Sequence, residues 1–123
     1  MINRKWYKRL AKEVIVLDYC MLETASDDKN EIGKIAKELL TKKLVASCHI
    51  IESESSWNWN NERENSKEYL LQMKAKKKCL KEIYEIIKSI HSYECFELAV
   101  YNITSINEDY LSWIDKEIKN GWR

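Results

Sequence analysis

Proline is absent from the 123 residues and glycine occurs only twice. The usual chain-turning residues are therefore scarce, and turns must be built from Asn, Ser and Asp. No two cysteines form a C-x-x-C pair: Cys20, Cys48, Cys79 and Cys95 stand singly. A structural zinc site wants close pairs, so that class is disfavoured. Nor is there an excess of charge of one sign, with 21 basic against 20 acidic residues. A binder that relies on a dominant basic field is excluded, and no nucleic-acid partner is expected. Apolar runs reach only about four residues, far short of a membrane span, so no membrane insertion is expected. Met1 to Lys12 has no apolar centre of the kind a secretory signal carries, and reduced thiols in the cytoplasm are the expectation for the four cysteines.

What is present reads in order. A chain of this size buries one core. Residues 1–12 form a basic extension with Arg4, Lys5, Lys8, Arg9 and Lys12, and 120–123 a short tail. Between them, residues 13–119 make a single domain. Val14 to Leu17, with Tyr19, Met21 and Leu22, predicts one strand apolar on both faces. It ends in the polar stretch Thr24 to Asp28, where Ser26 or Asp27 can cap a helix. Ile32, Ile35, Ala36, Leu39 and Leu40 then recur at helical spacing over about four turns. Leu44 to Ile51 predicts a second strand. In the polar stretch Glu52 to Asn65, Trp57 and Trp59 stand two apart, on one face of an extended segment, where they need another surface to cover them.

Tyr69, Leu71, Met73 and Ala75 alternate as a third strand, closed by Lys76-Lys77-Lys78, which reads as a solvated turn. Leu80, Ile83, Tyr84, Ile87 and Ile90 give a second amphipathic helix. Phe96, Leu98, Val100 and Ile103 predict a fourth strand, and Asn107 or Glu108 opens a last helix with Tyr110, Leu111, Trp113, Ile114 and Ile118. The class is therefore α+β: a ferredoxin-like βαββαβ order with an added C-terminal helix and an antiparallel sheet. Two helices cover one sheet face, and the strand readings leave a second apolar face uncovered. That predicts an oligomer.

The set Thr24-Ala25-Ser26-Asp27, Lys43-Leu44-Val45-Ala46, Trp59, Lys74, His91-x-Tyr93-Glu94 with Glu97, and Asp109-Tyr110-Leu111-x-Trp113, taken in this order, resembles the CutA family of divalent-cation tolerance proteins. The resemblance covers about residues 13–118. It implies a fold similar to that of PII signalling proteins, a homotrimer with extended hairpins that wrap neighbours, and polar clefts between subunits. It also implies tolerance of divalent metals, copper in particular, and no established enzymatic reaction. This chain departs from the pattern at Ser92 and Phe96, which replace two loop prolines, and at Ser47, where the family has a strand cysteine.

The chemistry concentrates in His91-Ser92-Tyr93-Glu94-Cys95-Phe96-Glu97. Thiolate and imidazole suit copper. Cys48 and His49 face opposite ways on a strand, whereas His91, Glu94 and Cys95 converge if the helix continues one more turn. The candidate metal ligands are therefore His91, Glu94, Cys95 and Cys48, for Cu²⁺ or another divalent cation. An inter-subunit cleft of Trp59, Lys74, His91, Tyr93, Glu97, Tyr110 and Trp113 would instead suit a small anion or metabolite, or Lys74 and Glu97 would form a structural ion pair. There is no nucleophile motif and no phosphate-cradling glycine loop, so no enzyme is expected. A small-molecule signalling trimer, or an assembly trimer without metal, is the alternative function.

Overall fold

The computed structural model describes the backbone of residues 14 and 15 and the whole of residues 18–119. The basic extension 1–12 and the tail 120–123 lie outside the described residues. The elements are β1 (Val14–Ile15), β2 (Tyr19–Ser26), α1 (Lys29–Thr41), β3 (Val45–Trp59), β4 (Glu62–Lys76), a 3₁₀ turn (Lys77–Cys79), α2 (Leu80–Ile90), β5 (Ala99–Asn102), β6 (Ser105–Ile106) and α3 (Glu108–Glu117). Four strands form one antiparallel sheet in the order β3-β4-β2-β5, and β1 pairs with β6 apart from it. This is the α+β, antiparallel, ferredoxin-like order expected from the sequence. Among the described residues no helix is long and apolar enough to cross a membrane.

The helices form for identifiable reasons. Asp28 caps α1 by accepting hydrogen bonds at Oδ1 from the Asn30 and Glu31 backbone N–H groups, at 2.9 and 3.2 Å. The expected caps, Ser26 and Asp27, lie before it because β2 runs on through Ser26. Thr24, Ala25 and Ser26 are thus buried strand residues rather than polar punctuation. At the other end of α1, Lys43 takes φ 56°, Leu44 N–H donates to Leu39 C=O and Lys43 N–H to Leu40 C=O, both at 3.0 Å. This pair of bonds closes a Schellman motif without its usual glycine. Burial of Ile32, Ile35 and Leu39 from α1 and Ile83 and Ile87 from α2 against Cys20, Leu22, Leu71, Met73 and Ala75 makes the core.

Expectations about three further segments need correction. The first strand is two pieces, β1 and β2, rather than one. The fourth strand is shorter than Phe96 to Ile103, because Phe96 turns inward to stack on His91 at 5.1 Å and pack on Tyr84 at 5.6 Å. Lys76 is not in a solvated turn: it ends β4, is buried, and pairs through Nζ with Asp115 at 2.9 Å.

The sheet face away from the helices is mixed, not apolar throughout. The register places Met21 beside Lys74 and Tyr101, Glu23 beside Gln72, and Ile51 beside Leu70. Pairing of β4 with β2 stops at Tyr69 opposite Ser26. Beyond that point β3 and β4 continue alone, as a two-stranded arm from Ser53 opposite Glu68 to Trp59 opposite Glu62. Asn60 and Asn61 turn the arm with φ 52° and 67°, the positive values that a two-residue hairpin demands and that Asn tolerates. The arm's facing pairs include Trp57 with Glu64 and Trp59 with Glu62.

Candidate functional site

The loop after α2 meets the root of the arm at the Ser26 end of β2. The helix stops at Ile90, and His91 takes extended backbone with ψ 134°, so the extra turn that would align His91, Glu94 and Cys95 does not form. Instead the imidazole turns inward, with no exposed side-chain surface. Its Nε2 lies 2.8 Å from the Ala25 carbonyl. A carbonyl only accepts, so Nε2 carries the proton. Nδ1 accepts the Tyr93 backbone N–H at 3.1 Å and lies 3.3 Å from Glu31 Oε2. That carboxylate also accepts from the hydroxyls of Ser26 at 2.9 Å and Ser92 at 3.2 Å. Both ring nitrogens are engaged, so His91 keys the loop to β2 and α1.

Tyr93 carries the second set of contacts. Its hydroxyl donates to Glu68 Oε2 at 2.7 Å and accepts the Asp27 backbone N–H at 2.9 Å. Burial, then the bond to Glu68, raises the phenol's pKa well above its ordinary value, against the lowering effect of the Asp27 N–H. Glu68 is itself 9 % exposed. The Glu97 carboxyl is also pushed up, by burial first and then by the negative charges of Glu23 and Glu68. Glu23 accepts from Gln72 Nε2 at 3.0 Å.

These groups border an open cleft of ≈ 920 Å³ at the arm's root. Glu54, Glu64, Glu68, Glu94 and Glu97 face it, with Trp57, Trp59 and Tyr93 as aromatic walls and the exposed Cys95 at its rim. Among the described residues, no lysine, arginine or histidine lines it. Carboxylates beside aromatic faces dominate this lining, with Lys67 opposite Glu54 on the arm, and such a lining disfavours an anion.

The structure therefore divides the expected residues. Trp59, Tyr93 and Glu97 line the cleft, and His91 braces it from beneath. Lys74 sits on the outer sheet face beside Met21 and Ser47, and forms no ion pair with Glu97 among the described residues. Tyr110 and Trp113, with rings 5.5 Å apart, belong to α3 at the far end of β2.

The metal set is not assembled either. Cys48 lies opposite Met73 and packs on the core, where burial raises its thiol pKa to about 11. Among the described residues, no group of three or more His, Cys, Asp or Glu side chains is placed to hold a metal ion. His91, Glu94, Cys95 and Cys48 thus do not fit a copper centre within one chain.

Sequence reasoning missed Trp57, Glu54, Glu64 and Glu68 as cleft residues. Their signal is alternation in register: once Asn60-Asn61 is taken as a two-residue turn, Trp57 falls opposite Glu64 and Trp59 opposite Glu62.

Comparison with known proteins agrees with this architecture. The family model described as CutA1 divalent ion tolerance protein matches residues 20–117. The divalent-cation tolerance protein CutA of Pyrococcus horikoshii is 29 % identical over 96 residues, which cover 78 % of this chain and 94 % of that protein. The crystal structure of CutA1 from the same organism superposes with a TM-score of 0.78 at 27 % identity, covering 82 % of this chain and 99 % of that one. CutA1 from Oryza sativa, at 23 % identity, shares the fold with a TM-score of 0.81 over 85 % of this chain and 97 % of its own. With nearly the whole described domain matched by the family model, the chain belongs to the CutA1 divalent ion tolerance protein family.

Proposed function

We propose that the protein works in divalent-cation tolerance as a cytoplasmic homotrimer whose acidic cleft attracts the cation. It is a binding protein without catalytic activity. The observation that carries this reading is the cleft itself, with five carboxylates and, among the described residues, no basic side chain on its walls. Carboxylate oxygens suit hard divalent ions, and the Cys95 thiol at the rim adds a softer donor for Cu²⁺. The trimer is supported by the arm. A two-stranded ribbon is marginal alone in water, and this one carries Trp59 at 46 % exposure, so a neighbour's surface is the natural cover. In such an assembly Tyr110 and Trp113 on a neighbour's α3 would close the cleft that one chain leaves open. Four free thiols support a reducing compartment.

Native mass spectrometry of reduced protein tests the assembly, with three chains expected with and without one equivalent of Cu²⁺ per chain, and a monomer counting against it. Calorimetric titration with Cu²⁺ and Mn²⁺ tests the cleft: binding should weaken in Glu64→Gln and Glu94→Gln while the trimer persists. The second reading, an assembly or signalling trimer without metal, is favoured by the engagement of both His91 nitrogens. It predicts no saturable cation binding in the same titration.

A further inference from the structure

We propose that Tyr93 is the pin of the arm: its hydroxyl ties the arm's root to the body of the subunit and so sets the direction in which the arm reaches a neighbour. The neighbour belongs to the trimer reading; the pin does not depend on it. Pairing with β2 holds β4 in place as far as Tyr69 opposite Ser26. Glu68 is the next residue out, where β4 keeps only β3 as a partner, with Ser53 opposite. At that step the Tyr93 hydroxyl stands between the end of β2 and the arm. It accepts the N–H of Asp27, the first residue past β2, at 2.9 Å and donates to Glu68 Oε2 at 2.7 Å. One oxygen thus joins the end of β2 to the start of the arm. From Ser53 to Glu68, Glu68 alone is buried, the others being half-buried or exposed. Other side-chain bonds of the arm stay inside the ribbon: the Ser53 hydroxyl donates to the Glu68 C=O, Ser56 to Asn65 and Arg63 to Asn58.

The pin is itself fixed. The Tyr93 N–H donates to His91 Nδ1 at 3.1 Å, the two rings lie 4.8 Å apart, and His91 Nε2 donates to the Ala25 C=O at 2.8 Å. The hydroxyl is therefore carried by the loop and by β2, not by the arm. A two-stranded ribbon beyond its sheet is marginal in water and twists more than a wider sheet, so a bond at its root decides its bearing. From Glu68 to Glu62, the far end of β4, the arm extends about 20 Å. A change of about 10° at the root therefore moves Trp59, which faces Glu62, by about 3–4 Å, as much as a side-chain contact distance. A displacement of that size breaks contacts with any surface on which the tryptophans pack.

Electron paramagnetic distance measurement between nitroxides at Arg63→Cys on the arm and Lys37→Cys on α1 tests the pin. The full chain carries Cys48→Ala and Cys95→Ser as background, and labelled chains are diluted among unlabelled ones. Tyr93→Phe keeps the ring and removes the hydroxyl, so the distance distribution should widen about twofold or shift by about 3 Å or more. Tyr19→Phe, the same deletion at the other end of β2, should leave it as in wild type. An unchanged distribution in Tyr93→Phe, or equal changes in the two variants, overturns the proposal. Subunit exchange between isotope-labelled and unlabelled particles, followed by native mass spectrometry, tests the consequence for assembly. Tyr93→Phe should quicken exchange about tenfold, the loss of one bond to a charged group. Ile83→Val, a core truncation away from the arm, should quicken it less than about twofold. Equal quickening in both overturns the positioning role. A wild type of one chain only would refute the trimer reading, and the distance measurement would then decide the pin by itself.

Discussion

The two ends of β2 are built from the same parts and differ in one. At the Tyr19 end, a tyrosine hydroxyl donates to Asp115, and the buried Lys76 supplies a matching positive charge. At the Ser26 end, a tyrosine hydroxyl donates to Glu68, but among the described residues no ion pair with a lysine or arginine reaches that carboxylate, and Glu97 and Glu23 add negative charge. Burial and a carboxylate bond raise both phenols. The carboxylates diverge: Asp115 is lowered by its bonds from Tyr19 and Lys76, whereas Glu97 is raised. The first end is a closed structural joint between α3 and the sheet. At the second, no described ion pair balances the Glu68 and Glu97 carboxylates.

The largest effect should come from the residue that fixes the open end. His91→Ala leaves the Ala25 carbonyl and the Tyr93 N–H without partners and opens a cavity, so urea unfolding should show a loss of about 3–4 kcal/mol. A loss below about 1 kcal/mol would mean that the loop is not keyed by the imidazole. Next, Tyr93→Phe removes the hydroxyl donor of the nearly buried Glu68 and should cost about 1–3 kcal/mol. Tyr19→Phe should cost less than about 1 kcal/mol, since the Asp115 side chain is 61 % exposed and keeps Lys76. Equal costs would erase the difference between the two ends.

The smallest effects are those of pH, and they should have opposite signs. Glu97 has its folded pKa raised, so its contribution to stability is fully present below the unfolded value of about 4.3 and is lost as pH rises through the folded value. Glu97→Gln should therefore gain in melting temperature relative to wild type between pH 4 and 7. Asp115 has its folded pKa lowered, so its contribution is present above about 3.9 and is lost as pH falls through the folded value. Asp115→Asn should melt below wild type at pH 7 and converge with it near pH 2. Parallel pH profiles for the two variants would contradict the assignment.

Both helices facing the core could be located from the sequence because Ile32, Ile35 and Leu39, and Ile83 and Ile87, repeat at helical spacing and are buried. The arm could be seen only as a polar stretch with two tryptophans, since strands held by register and a two-Asn turn carry no apolar alternation. Lys76 was hidden in a lysine run because its partner, Asp115, comes from another element. The place of the His91 loop was legible but its role was not, because the imidazole's partner is the Ala25 carbonyl, 66 residues away. The cleft's carboxylates come from three separate stretches, around Glu54, Glu64 to Glu68 and Glu94 to Glu97. Only the pairing of β3 with β4 and the crossing of the loop at the arm's root bring them together.

The most direct test of the central claim, that charge is unbalanced at one end of β2 and closed at the other, is calorimetric titration of Cu²⁺ or Mn²⁺ into matched variants. Binding should fall at least about tenfold in the double variant Glu64→Gln/Glu94→Gln, a loss of about 1.4 kcal/mol, and should be unchanged in Asp115→Asn. Equal binding by wild type and the cleft variant, or a loss that follows Asp115 instead, would contradict it.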